Sequence, residues 1–119
     1  MKNKEVYNLS NNFHNAFDKD DKYRPAKVMY ILYKNIKKLD EIVNDLEPFR
    51  LNVINNYADI HSDDTYSIEP EKCALANKEL EDLLEMDQQI DIIKLSLQDI
   101  EDLEFTPQQM EALMFMIEE

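Results

Sequence analysis

The chain has no glycine in 119 residues, where average usage of about 7% would place roughly eight. Glycine supplies positive φ in tight turns and lets a backbone come close to a phosphate. Gly-rich phosphate loops, dinucleotide fingerprints, nucleophile elbows and orthodox calcium loops each need it at a fixed place. All of these are excluded together. Cysteine is nearly absent as well: Cys73 stands alone, so no disulfide forms within the chain. Beside Ala74 and Ala76 it reads as a small buried apolar residue rather than a reactive thiol. Long apolar runs are missing, because Val28–Tyr33 and Ala112–Ile117 fall far short of the ~20 residues that cross a bilayer. The opening Met1-Lys2-Asn3-Lys4-Glu5 has no apolar stretch behind it and is not read as a signal peptide. A cytoplasmic protein, away from membranes, is expected.

Positive charge is scarce in one half only. Residues 1–50 hold ten Lys and Arg against eight acids, whereas residues 51–119 hold three Lys against eighteen acids. The formal net charge is −13. Such a surface repels nucleic acid and anionic membrane and attracts basic partners. Hydrophobic content of 44%, arranged periodically, identifies a folded chain and not a disordered acidic tail.

The periodicity predicts a single domain, 1–119, mostly α within the α+β class. An N-terminal helix over about 3–17 and a charged linker occupy residues 1–22, the helix carrying Val6, Leu9, Phe13, Ala16 and Phe17 at helical spacing. A helical hairpin fills 23–86. Its long first helix follows Pro25, a residue suited to a first turn. Met29, Leu32, Ile36, Leu39, Val43 and Leu46 alternate steps of three and four, as in a coiled-coil seam. Leu32, Ile36, Leu39, Val43 and Leu46 form the candidate self-association seam, by which a homodimer would form. Continued to residue 60 the helix would need a partner along its length. Pro48 predicts a kink or break near Asn44–Pro48. A turn at 61–65, a short strand at 66–68 and a helix from Pro70 to about Met86 complete the hairpin. Residues 87–119 form an acidic strand-plus-helix segment. Alternation around Ile90–Leu95 predicts a strand. Ser96-x-x-Asp99 and Thr106-Pro107-Gln108-Gln109 are helix starts. On the final helix Met110, Leu113, Met114 and Ile117 form the expected apolar face, leaving Phe115 and Met116 exposed for a partner.

Chemistry-bearing clusters are few. Asp59, His61, Asp63 and Asp64 lie close together, but the loop has no glycine and one His falls short of a zinc set; no metal or cofactor is expected. His14 and His61 are the only imidazoles, and neither sits beside a nucleophile in sequence; no catalytic residue is assigned. Adjacent acids such as Glu81/Asp82 and Glu101/Asp102 are expected by chance in so acidic a chain. Lys27, Lys34, Lys37 and Lys38, interleaved with Tyr30 and Tyr33, are a foothold for phosphate contact. Asp40 and Glu41 follow at once, and direct nucleic-acid binding is not expected.

Pro25-Ala26-Lys27-Val28, running into Tyr33-Lys34-Asn35-Ile36-Lys37-Lys38-Leu39, resembles a group of small proteins from phages and prophages of Gram-positive bacteria. Asn77–Leu84, Ile90–Ile92, Leu97–Ile100 and Phe105–Pro107 through Ile117 extend the likeness over roughly residues 23–119. The resemblance implies a bacterial cytoplasm, no catalytic residues, and action by binding something larger. The function so expected is non-enzymatic: an acidic inhibitor of a host nucleic-acid-handling protein, of the anti-restriction or anti-CRISPR type. Glu79, Glu81, Asp82, Glu85, Asp87, Asp91, Asp99, Glu101, Asp102 and Glu104 would stand in for phosphates against a basic surface. The alternative is an oligomeric accessory of phage morphogenesis that assembles through the seam.

Overall fold

A computed structural model describes residues 1–118 apart from 61, 62 and 64. The fold is α+β, mostly α. Helix α1 (Asn3–Phe17) buries Val6 and Ser10. It ends at a charged turn, and Pro25 then stands immediately before α2 (Ala26–Tyr57). Proline's fixed φ favours that entry. With 32 residues, α2 is about 48 Å long at 1.5 Å per residue, and every other element is placed along it.

Two small apolar centres lie on one side of the N-terminal half of α2. In one, Val28, Ile31 and Leu32 meet Leu95, Ile100, Leu113 and Met116; in the other, Ile36 and Leu39 meet Val6 of α1. Phe13 and Phe115 touch both. Hence α1 and the C-terminal segment cover the same helix at the same level.

Beyond Leu46 the helix has no buried residue among those described. Here it carries an antiparallel ribbon, β1 (Ala58–Ile60) with β2 (Tyr66–Ile68), Ala58 facing Ile68 and Ile60 facing Tyr66. Helix α3 (Pro70–Glu85) follows, with Pro70 in its first turn and Ala76 as its one buried residue. The expected helix over 26–60 therefore stops three residues early, because Ala58 turns extended and its neighbours pair with β2. The helix runs unbroken through Pro48. Glu47 next to it accepts from Arg50 at 2.8 Å and from the Tyr7 hydroxyl at 3.0 Å, which ties that turn to α1. Extents of 54 × 31 × 21 Å describe a compact end with a two-helix arm projecting from it.

After α3 the chain returns past α1. Asn3 N–H donates to the Met86 carbonyl at 2.9 Å, and Lys2 and Asp87 form an antiparallel bridge. The strand expected at 90–95 does not form; only β3 (Leu95–Ser96) is extended and paired, in parallel with β4 (Ile117–Glu118). The reason is a side chain. Fully buried Asn35 donates from Nδ2 to the Ile93 carbonyl and accepts at Oδ1 from its N–H, both at 2.8 Å. The amide thus does for Ile93 what a neighbouring strand would do. Lys38 Nζ reaches the Asp91 carbonyl in the same stretch.

Both predicted helix starts are present. Ser96 Oγ accepts from Asp99 N–H at the head of α4 (Leu97–Ile100). At α5 (Pro107–Leu113), Thr106 and Gln109 satisfy each other's backbone N–H groups, at 3.1 and 3.0 Å. The apolar face of the last helix differs from expectation. At Met114 the helix tightens into a 3-10 turn (Met114–Met116), and the larger rotation per residue re-aims the side chains. Met116 becomes fully buried and Phe115 packs into both centres, while Met114 is 58% exposed. Phe115 and Met116 belong to the core and are not free for a partner.

Candidate binding surfaces

The ten acids of the predicted surface divide by what they touch. Glu85 lies between Lys2 (2.5 Å) and Lys4 (2.7 Å), joining the end of α3 to the start of α1. Hydrogen bonds from those two ammonium groups pull its carboxyl down to about 2. Asp99 is held below its ordinary range by the Ser96 hydroxyl and then by Lys27 at 3.2 Å. Glu104 meets Lys22 at 3.2 Å. The Tyr57 hydroxyl bonds to Glu79, which raises the phenol. Glu81, Asp82, Asp87, Asp91, Glu101 and Asp102 are exposed and in no ion pair among the described residues. They stand in two groups. Asp87 lies by the start of α1, where it bridges to Lys2, and Asp102 lies beside Lys22–Arg24, past the end of that helix.

The seam residues face inward. Leu32, Ile36, Leu39 and Leu46 are 5%, 8%, 0% and 7% exposed, and Val43 is half-buried. The chain's own α1 and C-terminal segment cover Leu32, Ile36 and Leu39, so that stripe offers a second copy little surface.

Of the four lysines on α2, Lys27 is paired with Asp99 and Lys38 with the Asp91 carbonyl. Lys34 and Lys37 instead lie over the rings of Tyr30 and Tyr33, at 6.0 and 5.8 Å.

His14 is the imidazole among the described residues. Its Nε2 lies 2.9 Å from Asp40, to which the Ser10 hydroxyl also donates at 2.7 Å. A serine nucleophile would donate to the imidazole itself; here the carboxylate stands between them. Among the described residues no group of three or more His, Cys, Asp or Glu is placed to hold a metal ion. Of the cluster at 59–64, His61 and Asp64 lie outside those residues. The Asp63 carboxylate accepts from the Thr65 hydroxyl and N–H at 2.6 and 3.2 Å, contacts that keep it below its ordinary value. Cys73 is half-buried and its thiol points to the Ile68 carbonyl at 3.6 Å, part of the turn into α3.

Two polar centres were missed from sequence. Arg24, 5% exposed, lies flat against Phe105 (4.5 Å) and Phe17 (5.6 Å). It donates to Asp20 at 2.5 Å and to the Glu104 carbonyl at 3.3 Å. Gln109 Nε2 donates to the same Asp20 oxygen and to the Ala16 carbonyl, both at 3.2 Å. Burial pushes the Asp20 carboxyl up, but the Lys22 N–H and Arg24 outweigh it and the net shift is downward. The second centre is Tyr7–Glu47–Arg50, on a groove of about 440 Å³ between α1 and α2. Arg50 holds the Glu47 carboxyl low, while burial and then the bond to Glu47 push the Tyr7 phenol up to about 12. Both centres bond within the chain itself, although Arg24 Nε is buried without a hydrogen-bond partner among the described residues.

No family model matches the chain, and neither a curated protein nor a solved structure does.

Proposed function

We propose that this protein acts by binding a basic surface on another protein through its carboxylates, without transforming a substrate. One observation carries the reading: Glu81, Asp82, Asp87, Asp91, Glu101 and Asp102 are exposed and in no ion pair among the described residues, whereas Glu85, Asp99 and Glu104 are paired with lysines of other segments. An exposed carboxylate without structural employment is free to meet a cation. Two such groups, one by the start of α1 and one past its end, would engage a channel or groove rather than one lysine cluster. A surface shaped for the nucleic-acid backbone has that form, and its attraction weakens as salt rises. In its sharper version the partner is a nucleic-acid-handling protein of a bacterial host, and the acids mimic phosphates. The resemblance to phage and prophage proteins supports that setting.

The test compares wild type with a variant in which those six acids become Asn or Gln. Each is immobilised and exposed to bacterial lysate at low and high salt. The reading expects a nucleic-acid-binding protein retained by wild type alone, at low salt, and displaced by duplex DNA. Equal retention on both chains, or none that responds to salt, would overturn it.

A further inference from the structure

A groove of about 500 Å³ lies among α4, the turn after it and α5, lined by Leu97, Ile100, Glu101, Leu103, Phe105 and Met110. Ile100 belongs to the buried centre beneath, and Leu103, Phe105 and Met110 pack against that centre from outside. Helix α4 has only four residues, and residues three apart share a helix face. Leu97 therefore follows Ile100 to the groove and ends at its rim, 51% exposed. Met114, four residues beyond Met110 and 58% exposed, continues the apolar area along α5.

Among the described residues the lining carries one charge, the Glu101 carboxylate, and exposed Asp102 follows it. The cations of this end are already engaged. Lys27 is paired with Asp99 and Lys22 with Glu104, each at 3.2 Å, and Arg24 is paired with Asp20. Glu101 and Asp102 thus stand beside an open apolar floor with no lysine or arginine answering them among the described residues.

Exposed apolar area with a polar rim marks a contact site, and methionine adapts to the shape it meets. Phosphate mimicry uses charge alone, whereas this groove adds a demand for apolar surface beside the charge. We infer that the groove receives a large apolar side chain of a basic protein segment, whose flanking Lys or Arg meet Glu101 and Asp102. The inference rests on the binding proposed above and adds the chemistry of the partner's contact segment.

Fluorescence anisotropy of the full chain with two labelled lysine peptides of equal length and charge tests it. One peptide has phenylalanine at its centre and the other serine. At low salt, wild type is expected to bind the phenylalanine peptide at least about tenfold more tightly, less than full burial of that ring can supply. Leu97→Gln should bring the two affinities together. Its side chain is exposed, so far-ultraviolet circular dichroism should match wild type. Glu101→Gln/Asp102→Asn should weaken both peptides, which places them at this end of the molecule. Equal affinities on wild type would overturn the groove and leave the reading by charge intact. Binding of neither peptide would overturn both. A phenylalanine preference that survives Leu97→Gln, or a double variant that binds as wild type does, also overturns the groove. So does a wild type that sediments as a dimer and a Leu97→Gln variant that sediments as a monomer, because a second copy would then be the occupant.

Discussion

Among single residues, Asn35 and Arg24 tie distant segments together by hydrogen bonds, and neither is marked by periodicity. Asn35 lies within the apolar face of α2, where a polar residue reads as an interruption. Its amide geometry matches both hydrogen-bonding groups of one peptide unit, and that match exists only once Ile93 has been brought alongside. Arg24 precedes a proline in a charged linker and looks solvated; Phe17 nearby and Phe105, distant in sequence, cover it. Glu85 is different, since its role is electrostatic and depends on pH. Its carboxyl is drawn down to about 2 from an ordinary 4.5. A depressed carboxyl stabilises the fold fully above the ordinary value and loses that contribution as pH falls toward the depressed one. Glu85→Gln should therefore lower the urea midpoint at neutral pH, and the gap to wild type should close between about pH 4.5 and 2. A gap that is constant with pH would mean that Glu85 acts by shape alone.

At the level of elements, capping chemistry was the most legible part of the sequence. Ser96, Thr106 and Gln109 act on backbone groups within their own turn, so local sequence contains all the information. The mistaken strand at 90–95 and the mistaken face of the last helix share a cause. In both, alternation or periodicity was read forward past a point where tertiary contacts change the geometry, Asn35 in one case and the 3-10 turn at Met114 in the other. Pro48 belongs here too. It withholds one N–H from α2 in a region with little burial, and a proline inside a helix costs about 3 kcal/mol relative to alanine. Pro48→Ala should raise unfolding stability by on the order of 1–3 kcal/mol, read from urea denaturation. An unchanged or lower midpoint would show that the proline has compensating contacts on this turn.

The whole molecule is longer than its chain length requires. Its radius of gyration is 18.0 Å, whereas a compact domain of this length would have about 13.5 Å. The excess is the arm, where α2 beyond Leu46 and α3 bury almost nothing but Ala76. Stability must then be uneven, since backbone hydrogen bonds without apolar cover open most readily. Amide exchange should be at least about tenfold slower across Ile31–Leu39 than across Phe49–Tyr57 and Cys73–Leu80, both helical throughout. Uniform protection would show that the arm is held by something beyond its own two helices. The sequence already hinted at this, since a helix so long needs a companion; which half would lack one depended on where α1 and the C-terminal segment settle.

Helix α2 belongs to both ends of the molecule. A helix continuous from Ala26 to Tyr57, short of one backbone bond at Pro48, can act as a lever. The helix that carries the ribbon also carries Asn35, whose amide holds the peptide of Ile93. Whatever grips the far end would be felt in the packing of the near one.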